Sequence, residues 1–372
     1  MEKRIYKNTD QNISLLGFGA MRLPQTADNK IDYAAAEQLI DYAYAHGVNY
    51  FDTAYMYHDG ESENFIGHAL KKYPRESFYL ADKMPGWFAK TMDDVDRIFN
   101  DQLKKCGVDY FDFYLCHSLT RQNFDIYDKI DIIGYLDQKK KEGKIRQLGF
   151  SFHDKPDMLE ELMGRYDWDF AQLQLNYLDW EMQNAKRLYE ILEAHGLPCI
   201  VMEPVRGGAL ATLCPESIEL LKKAAPKRSA ASWAIRFAAS LPNVMTVLSG
   251  MSNVEQVEDN IKTMSDFQPL EKQDYAVIKQ ALAAYQNSKT VPCTGCRYCM
   301  DCPAGVDIPL MFELYNKFVR TEDKKAFLDA YAAAGDAKQA HHCVKCGVCA
   351  THCPQAIEIP KQIEKIVELA RN

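Results

Sequence analysis

Eight of the twelve cysteines fall after residue 290, as two near-copies of one motif. The first reads Cys293-Thr-Gly-Cys296-Arg-Tyr-Cys299-Met-Asp-Cys302-Pro303. The second reads Cys343-Val-Lys-Cys346-Gly-Val-Cys349-Ala-Thr-His-Cys353-Pro354. Three thiols at two-residue spacing, then a fourth followed by proline, form the ligand pattern of a 4Fe–4S cubane, and two such runs predict two clusters. Structural zinc prefers separated Cys-x2-Cys pairs around a tetrahedral ion, which makes zinc the weaker reading. The repeat continues beyond the ligands, since Cys302-Pro-Ala-Gly-Val-Asp-Ile-Pro309 matches Cys353-Pro-Gln-Ala-Ile-Glu-Ile-Pro360. Cys106, Cys116, Cys199 and Cys214 lack ligand spacing and read as ordinary thiols.

A second set of residues carries different chemistry. Asp52 and Tyr57, Lys83, and His117 follow three successive apolar runs. A phenol, with an unperturbed pKa near ~10, donates its proton sluggishly at neutral pH. A lysine cation beside it stabilises the phenolate and is expected to lower that pKa, while an aspartate keeps the lysine charged and oriented. An imidazole can position a carbonyl oxygen. The four together could protonate a carbonyl as hydride reaches its carbon. Taken singly, each has an ordinary reading: a cap for Asp52, a rim aromatic for Tyr57, a surface charge for Lys83, a core histidine for His117.

Such groups need a frame that brings strand ends to one face. Apolar runs at Leu15–Ala20, Val48–Phe51, Phe78–Ala81, Phe111–Cys116, Arg146–Phe150, Phe170–Leu175, Pro198–Met202 and Val244–Leu248 alternate with amphipathic stretches. Those stretches include Tyr33–His46, Asp93–Cys106, Asp128–Glu142, Asn184–His195 and Val254–Lys262. Eight strands alternating with helices predict a closed (β/α)8 TIM barrel, whose catalytic groups lie at the C-terminal strand ends. An open doubly wound sheet is disfavoured, because no Gly-x-Gly-x-x-Gly follows an early strand. A further helix at 270–286 leads through Gln286-Asn-Ser-Lys-Thr290 into the first cysteine run. The expected domains are therefore 1–286, the barrel with its extra helix, and 287–372, a small iron–sulfur domain. Leu310–Val319, Lys324–Ala333 and Lys361–Leu369 make that second domain mainly helical.

At these residues the chain resembles the aldo-keto reductase superfamily, over roughly residues 10 to 262. The signature stands here as Asp52-Thr-Ala-Tyr-Met-Tyr57, a helix Glu61–Leu70, Lys83, and Leu-Cys-His117. It continues through Leu-Gly-Phe-Ser151, Ala-Gln172-Leu-Gln, Glu-Pro204-Val-Arg-Gly-Gly, Ser249-Gly250-Met-Ser252 and Gln256-Val-Glu-Asp-Asn260. The five-residue step from Asp52 selects Tyr57 over Tyr55 as the acid. The resemblance implies NAD(P)H-dependent reduction of an aldehyde or ketone, or the reverse, with Asp52, Tyr57, Lys83 and His117 catalytic. It also implies that Ser151 and Gln172 bind the nicotinamide carboxamide, and that Gly250, Ser252, Gln256 and Asn260 line the adenosine end. Phe152 stands where the family often has asparagine, and Met202 where an aromatic commonly stacks on nicotinamide. The positions that pair with a 2′-phosphate fall on Gly250 and Gln256, so NADH is expected to be accepted at least as well as NADPH. The tail resembles ferredoxin-type two-cluster domains, in which the fourth cysteine of each run serves the other cluster. On that pattern Cys293, Cys296, Cys299 and Cys353 hold one cluster, and Cys343, Cys346, Cys349 and Cys302 the other.

Composition narrows the partners. A chain of 372 residues with 47% hydrophobic and 26% charged residues is globular, and its net charge of −8 comes without a Lys/Arg-rich block. Nucleic acid and anionic membranes are thus disfavoured partners, and a small-molecule carbonyl or alcohol is the expected one. Met-Glu-Lys-Arg-Ile-Tyr-Lys-Asn lacks the apolar core of a signal peptide, and no apolar run approaches ~20 residues, so a cytoplasmic location is expected. The two chemistries do not mesh on their own, because hydride carries two electrons and a cluster moves one. Besides a reductase with an accessory cluster domain, two readings remain open at this point. One is an electron-transfer protein whose barrel docks a redox partner; the other is a flavin-containing barrel fed through the clusters.

Overall fold

A computed structural model describes residues 1–6, 10–286 and 290–371. Its strands are β1 (Lys3–Ile5), β2 (Asn12–Ser14), β3 (Leu16–Gly19), β4 (Tyr50–Asp52), β5 (Tyr79–Met84), β6 (Phe111–Leu119), β7 (Ile145–Phe152), β8 (Phe170–Gln174), β9 (Cys199–Met202) and β10 (Val244–Ser249). The last eight close a parallel barrel in the order β10-β3-β4-β5-β6-β7-β8-β9. Nearly every strand residue is buried, as expected where helices cover the outside and side chains fill the inside.

The helices obey local signals. Met92–Cys106 starts on a Thr91/Asp94 capping box and ends on Gly107, whose φ of 63° lets its N–H reach the Leu103 carbonyl. The single helix expected over Asp128–Glu142 is two, Arg121–Ile130 and Ile132–Lys141, because Asp131 takes a left-handed φ of 60° between them. Tyr127 on the first of these is buried. Its hydroxyl accepts from the Gly86 N–H (3.0 Å) and donates toward the Met84 carbonyl (2.6 Å), fastening the end of β5.

The β1–β2 hairpin, with Lys3 opposite Ser14, was not expected from the sequence. Tyr6 and Ile13 join Tyr50, Ala81, Phe113, Phe170, Ile200 and Met245 in one buried cluster. Most of these lie early in their strands, so the hairpin plugs the N-terminal mouth and the C-terminal mouth is left for chemistry.

The chain forms two compact units. One is Met1–Pro204 with Ala234–Leu270, and the other is Val205–Trp233 with Glu271–Asn372. The segment after β9 and the helix Lys272–Gln286 thus compact with the cysteine runs. Within that unit Lys272–Gln286 meets Pro215–Ala224, where the Ser217 hydroxyl donates to the Ala281 carbonyl at 2.6 Å. The 286/287 boundary falls beside residues 287–289, outside the described residues. The tail is helical, with Ile308–Thr321, Lys324–Ala333, Val348–Thr351 and Ile359–Arg371. The sequence repeat is also a structural one: Val306 and Ile308 of the first copy and Ile357 and Ile359 of the second share one core. Pro309 and Pro360 each stand in the first turn of a helix, where proline's missing N–H costs nothing.

Candidate active site and cysteine centres

Asp52 is the last residue of β4, whereas Lys83, His117, Ser151 and Gln172 lie inside their strands rather than beyond them. β5, β6 and β7 run past their apolar stretches, because buried polar residues near their ends are part of the pleat. Lys83 is 1% exposed and donates to Asp52 Oδ1 and to the Thr53 carbonyl, both at 2.6 Å. Its ammonium sits 4.9 Å from the Tyr57 ring centroid. Tyr57 and His117 meet edge to face, with centroids 6.2 Å apart, and Trp87 lies 5.2 Å from His117 on another side. Asp52 Oδ2 accepts from Gln172 Nε2 at 3.2 Å. The four expected catalytic residues are therefore gathered. Tyr55 is placed elsewhere, with Lys105 over its ring at 4.5 Å.

The electrostatics correct one expectation. The Tyr57 phenol is pushed well above its usual value, first by burial and then by Asp52 and Glu203, with Arg22 opposing. Lys83, paired with Asp52 at 2.6 Å, does not outweigh the burial of the phenol. Burial also raises Asp52, against Lys83 and Gln172. His117 is held well below the usual imidazole value by burial, Lys83 and His153, and is neutral. Its Nδ1 is buried without a hydrogen-bond partner.

The expected cofactor contacts fall into two groups. Ser151 and Gln172 are both 1% exposed and stand opposite each other across β7 and β8. The Ser151 hydroxyl accepts from the Ser118 N–H at 2.7 Å, which leaves its own proton to donate. A hydroxyl beside a primary amide is a donor–acceptor pair that fits a carboxamide. At the other end, Ser252 N–H donates to Gln256 Oε1 (2.7 Å) and Ser252 Oγ donates to the Arg22 carbonyl (2.7 Å). Asn260 is mid-helix and buried, donating to Ser249 Oγ at 2.9 Å.

Three features escaped the sequence reading. Arg22 pairs with Glu203 at 2.8 Å, and a Cβ on Gly250 would touch its side chain at 3.1 Å. A cation therefore does stand beside Gly250, engaged by Glu203. Trp87 is the second. The third lies behind Lys83, where Glu63, Asp82 and Gln102 are wholly buried. Gln102 Nε2 donates to Glu63 Oε1 and to the Lys83 carbonyl, both at 3.0 Å, while the Lys83 N–H donates to Asp82 Oδ1 at 2.8 Å. Burial and Glu63 push Asp82 well above the carboxylate range. Only an acid inside the buried β5 run could have flagged this pair; nothing local marks Arg22–Glu203, 181 positions apart.

In the second unit the cysteines divide into two sets of four. Cys293, Cys296, Cys299 and Cys353 line one cavity, and Cys302, Cys343, Cys346 and Cys349 line another. Burial raises the Cys299 thiol to about 12, with Cys296, Cys293 and Cys353 adding to the effect; for Cys349 the neighbours that add are Cys343, Cys302 and Cys346. Cys293 Sγ already accepts the Gly295 N–H at 3.4 Å. Four thiols converging on one space are a donor set that fits a cubane.

Comparison with known proteins agrees with this geometry. An aldo/keto reductase family model matches residues 15–283, and a 4Fe-4S dicluster domain model matches residues 292–358. The chain belongs to the aldo/keto reductase family. It is an oxidoreductase of that family with a C-terminal iron–sulfur domain. L-galactose dehydrogenase of Arabidopsis thaliana is 26% identical over 73% of this chain and 90% of its own. The NADH-specific methylglyoxal reductase of Escherichia coli is 27% identical over 56% of this chain and 69% of its own. Among solved structures, the holo form of aldo-keto reductase AKR11C1 from Bacillus halodurans has a TM-score of 0.63 at 27% identity, covering 76% of this chain and 96% of its own. Among the described residues no helix is long and apolar enough to cross a membrane.

Proposed function

We propose that the protein reduces a small aldehyde or ketone to an alcohol with NAD(P)H, or runs the reverse reaction, at the C-terminal mouth of the barrel. The observation that carries this is Lys83, held at 2.6 Å by both Asp52 and the Thr53 carbonyl and 4.9 Å from the Tyr57 ring, with neutral His117 alongside. The nicotinamide supplies hydride to the carbonyl carbon when bound. Tyr57 donates its proton to the carbonyl oxygen as charge builds there, and Lys83, anchored by Asp52, steadies the phenolate left behind. His117, neutral and with Nδ1 unpartnered, orients that oxygen. Ser151 and Gln172 hold the carboxamide, and Gly250, Ser252, Gln256 and Asn260 border the adenosine.

NADH is accepted at least as well as NADPH in this reading, because Gly250 and Gln256 offer no cation and Arg22 is engaged by Glu203. The name of the Escherichia coli relative, an NADH-specific methylglyoxal reductase, is in keeping with a small carbonyl substrate. The tail carries two 4Fe–4S clusters with the crossed ligand sets, supported by the two groups of four thiols. The domains are 1–286 and 287–372, the location is cytoplasmic, and a redox partner protein serves the tail. Tyr57→Phe tests the core of the reading. Carbonyl-dependent NAD(P)H oxidation over an aldehyde panel is expected to fall by about 10²–10⁴-fold, the usual worth of a general acid. The brown cluster absorbance should be retained. Undiminished turnover would refute the assignment of Tyr57.

A further inference from the structure

Arg206 is the one arginine among the largest fully buried side chains, at 1% exposure. Its backbone takes a φ of 52°, in the left-handed region that residues other than glycine, asparagine and aspartate seldom occupy. Such outliers persist where the surroundings impose them, often for function. Here the surroundings belong to the Cys293 set. The guanidinium donates through Nη1 to the Pro292 carbonyl and through Nη2 to Gln355 Oε1, both at 2.8 Å. Pro292 immediately precedes Cys293, and Gln355 stands two residues after Cys353. The next residue, Gly207, lies so close that a Cβ would fall 2.0 Å from the Thr294 carbonyl oxygen. One rigid fork therefore clamps the two chain segments that supply ligands to one cavity from opposite copies of the repeat. The cation lies directly beside the chain segment that carries Cys293.

We propose that Arg206 fixes the reduction potential of the cluster held by Cys293, Cys296, Cys299 and Cys353, a role that rests on the two-cluster reading above. Reduction adds one negative charge to a cluster, and a buried cation favours the more negative state in a medium of low dielectric. Net charge and second-shell contacts are among the levers that set such potentials. With Arg206 in place, the Cys293 cluster is easier to reduce than its ligands alone would make it.

The test is an anaerobic potentiometric titration of the full-length protein, followed by electron paramagnetic resonance, with iron counted per chain. In Arg206→Met, one of the two couples is expected to move to lower potential by at least tenfold in its oxidised-to-reduced ratio, about 59 mV for a one-electron couple. The other couple should stay in place. Arg206→Lys, which keeps the charge and loses the fork, should leave the potential close to the wild-type value. Gln355→Glu leaves Arg206 intact but sets an anion against it, and should lower the same couple. If Arg206→Met loses iron, the shift in Gln355→Glu decides the question. Iron-replete variants with both couples unmoved, or with both moved equally, overturn the role of Arg206. A wild-type chain without cubane iron overturns the two-cluster reading as well.

Discussion

As the proposed acid, Tyr57 must release a proton in a site that makes it hold on, since burial, Asp52, Glu203 and Asp82 raise its pKa together and Arg22 opposes them. The protonated phenol is the form that donates in reduction, and it is lost only as pH rises through the raised value, above the ordinary ~10. His117 is displaced the other way and stays neutral down to below the usual imidazole range. The free-enzyme profile of carbonyl reduction, read as kcat/KM, is therefore expected to be flat between about pH 6.5 and 9. An alkaline limb centred near pH 8 that vanishes in Tyr57→Phe would show that the phenol is activated by Lys83 after all. That these residues gather at one place was legible through the family resemblance, whose five-residue step from Asp52 leads to Tyr57. Their electrostatics were not, because Glu203 and Arg22 reach the phenol only through the closed barrel.

Strand β5 shows what an element does with buried charge. Asp82 and Lys83 are neighbours, yet Asp82 lies among Glu63, Gln102 and Cys106, away from the Asp52 to which Lys83 donates. Two carboxyls shut away together hold one proton between them. Asp82 thus binds a proton in the folded chain at pH values where the unfolded chain, near ~3.9, has released it. Folding then takes up a proton, so this pair's contribution to stability falls as pH rises from about 4 toward the raised folded value, by up to about 1.4 kcal/mol per pH unit. Asp82→Asn keeps a donor toward Glu63 and an acceptor for the Lys83 N–H but has no proton to lose. Its thermal midpoint relative to wild type is expected to rise between pH 5 and pH 8; a gap that does not change with pH would mean that no proton is shared. Alternating apolar runs disclosed the eight strands, while β5 and β7 ran past their apolar stretches because the pleat continues through buried polar residues such as Asp82 and Ser151. The β1–β2 hairpin was missed because three-residue strands carry too little periodicity to register.

At the scale of the whole molecule, a two-electron site and a one-electron site share one chain. The matched models meet near residue 290, but compactness divides the chain differently, with Val205–Trp233 joining the cysteine unit. No spacing rule discloses that, because the segment leaves the barrel sequence and returns to it. Two of the cysteines belong to the core of their unit, Cys299 at 8% and Cys349 at 9% exposure among Phe312, Ile359 and Ile363, and Cys293, Cys302, Cys343 and Cys353 pack against it. Clusters bound there would contribute folding energy to that core. Electron flow between the two chemistries is a separate matter. Hydride leaves nicotinamide as a pair, and in the proposed mechanism Tyr57, Lys83 and His117 serve a proton, not a single electron. Anaerobic protein given excess NADH or NADPH without a carbonyl compound is therefore expected to show no reduced-cluster signal in electron paramagnetic resonance. Dithionite added to the same sample should bring the signal up. A signal that appears with the nicotinamide alone would demand a carrier able to split the pair, and flavin released on unfolding would then be the measurement to make.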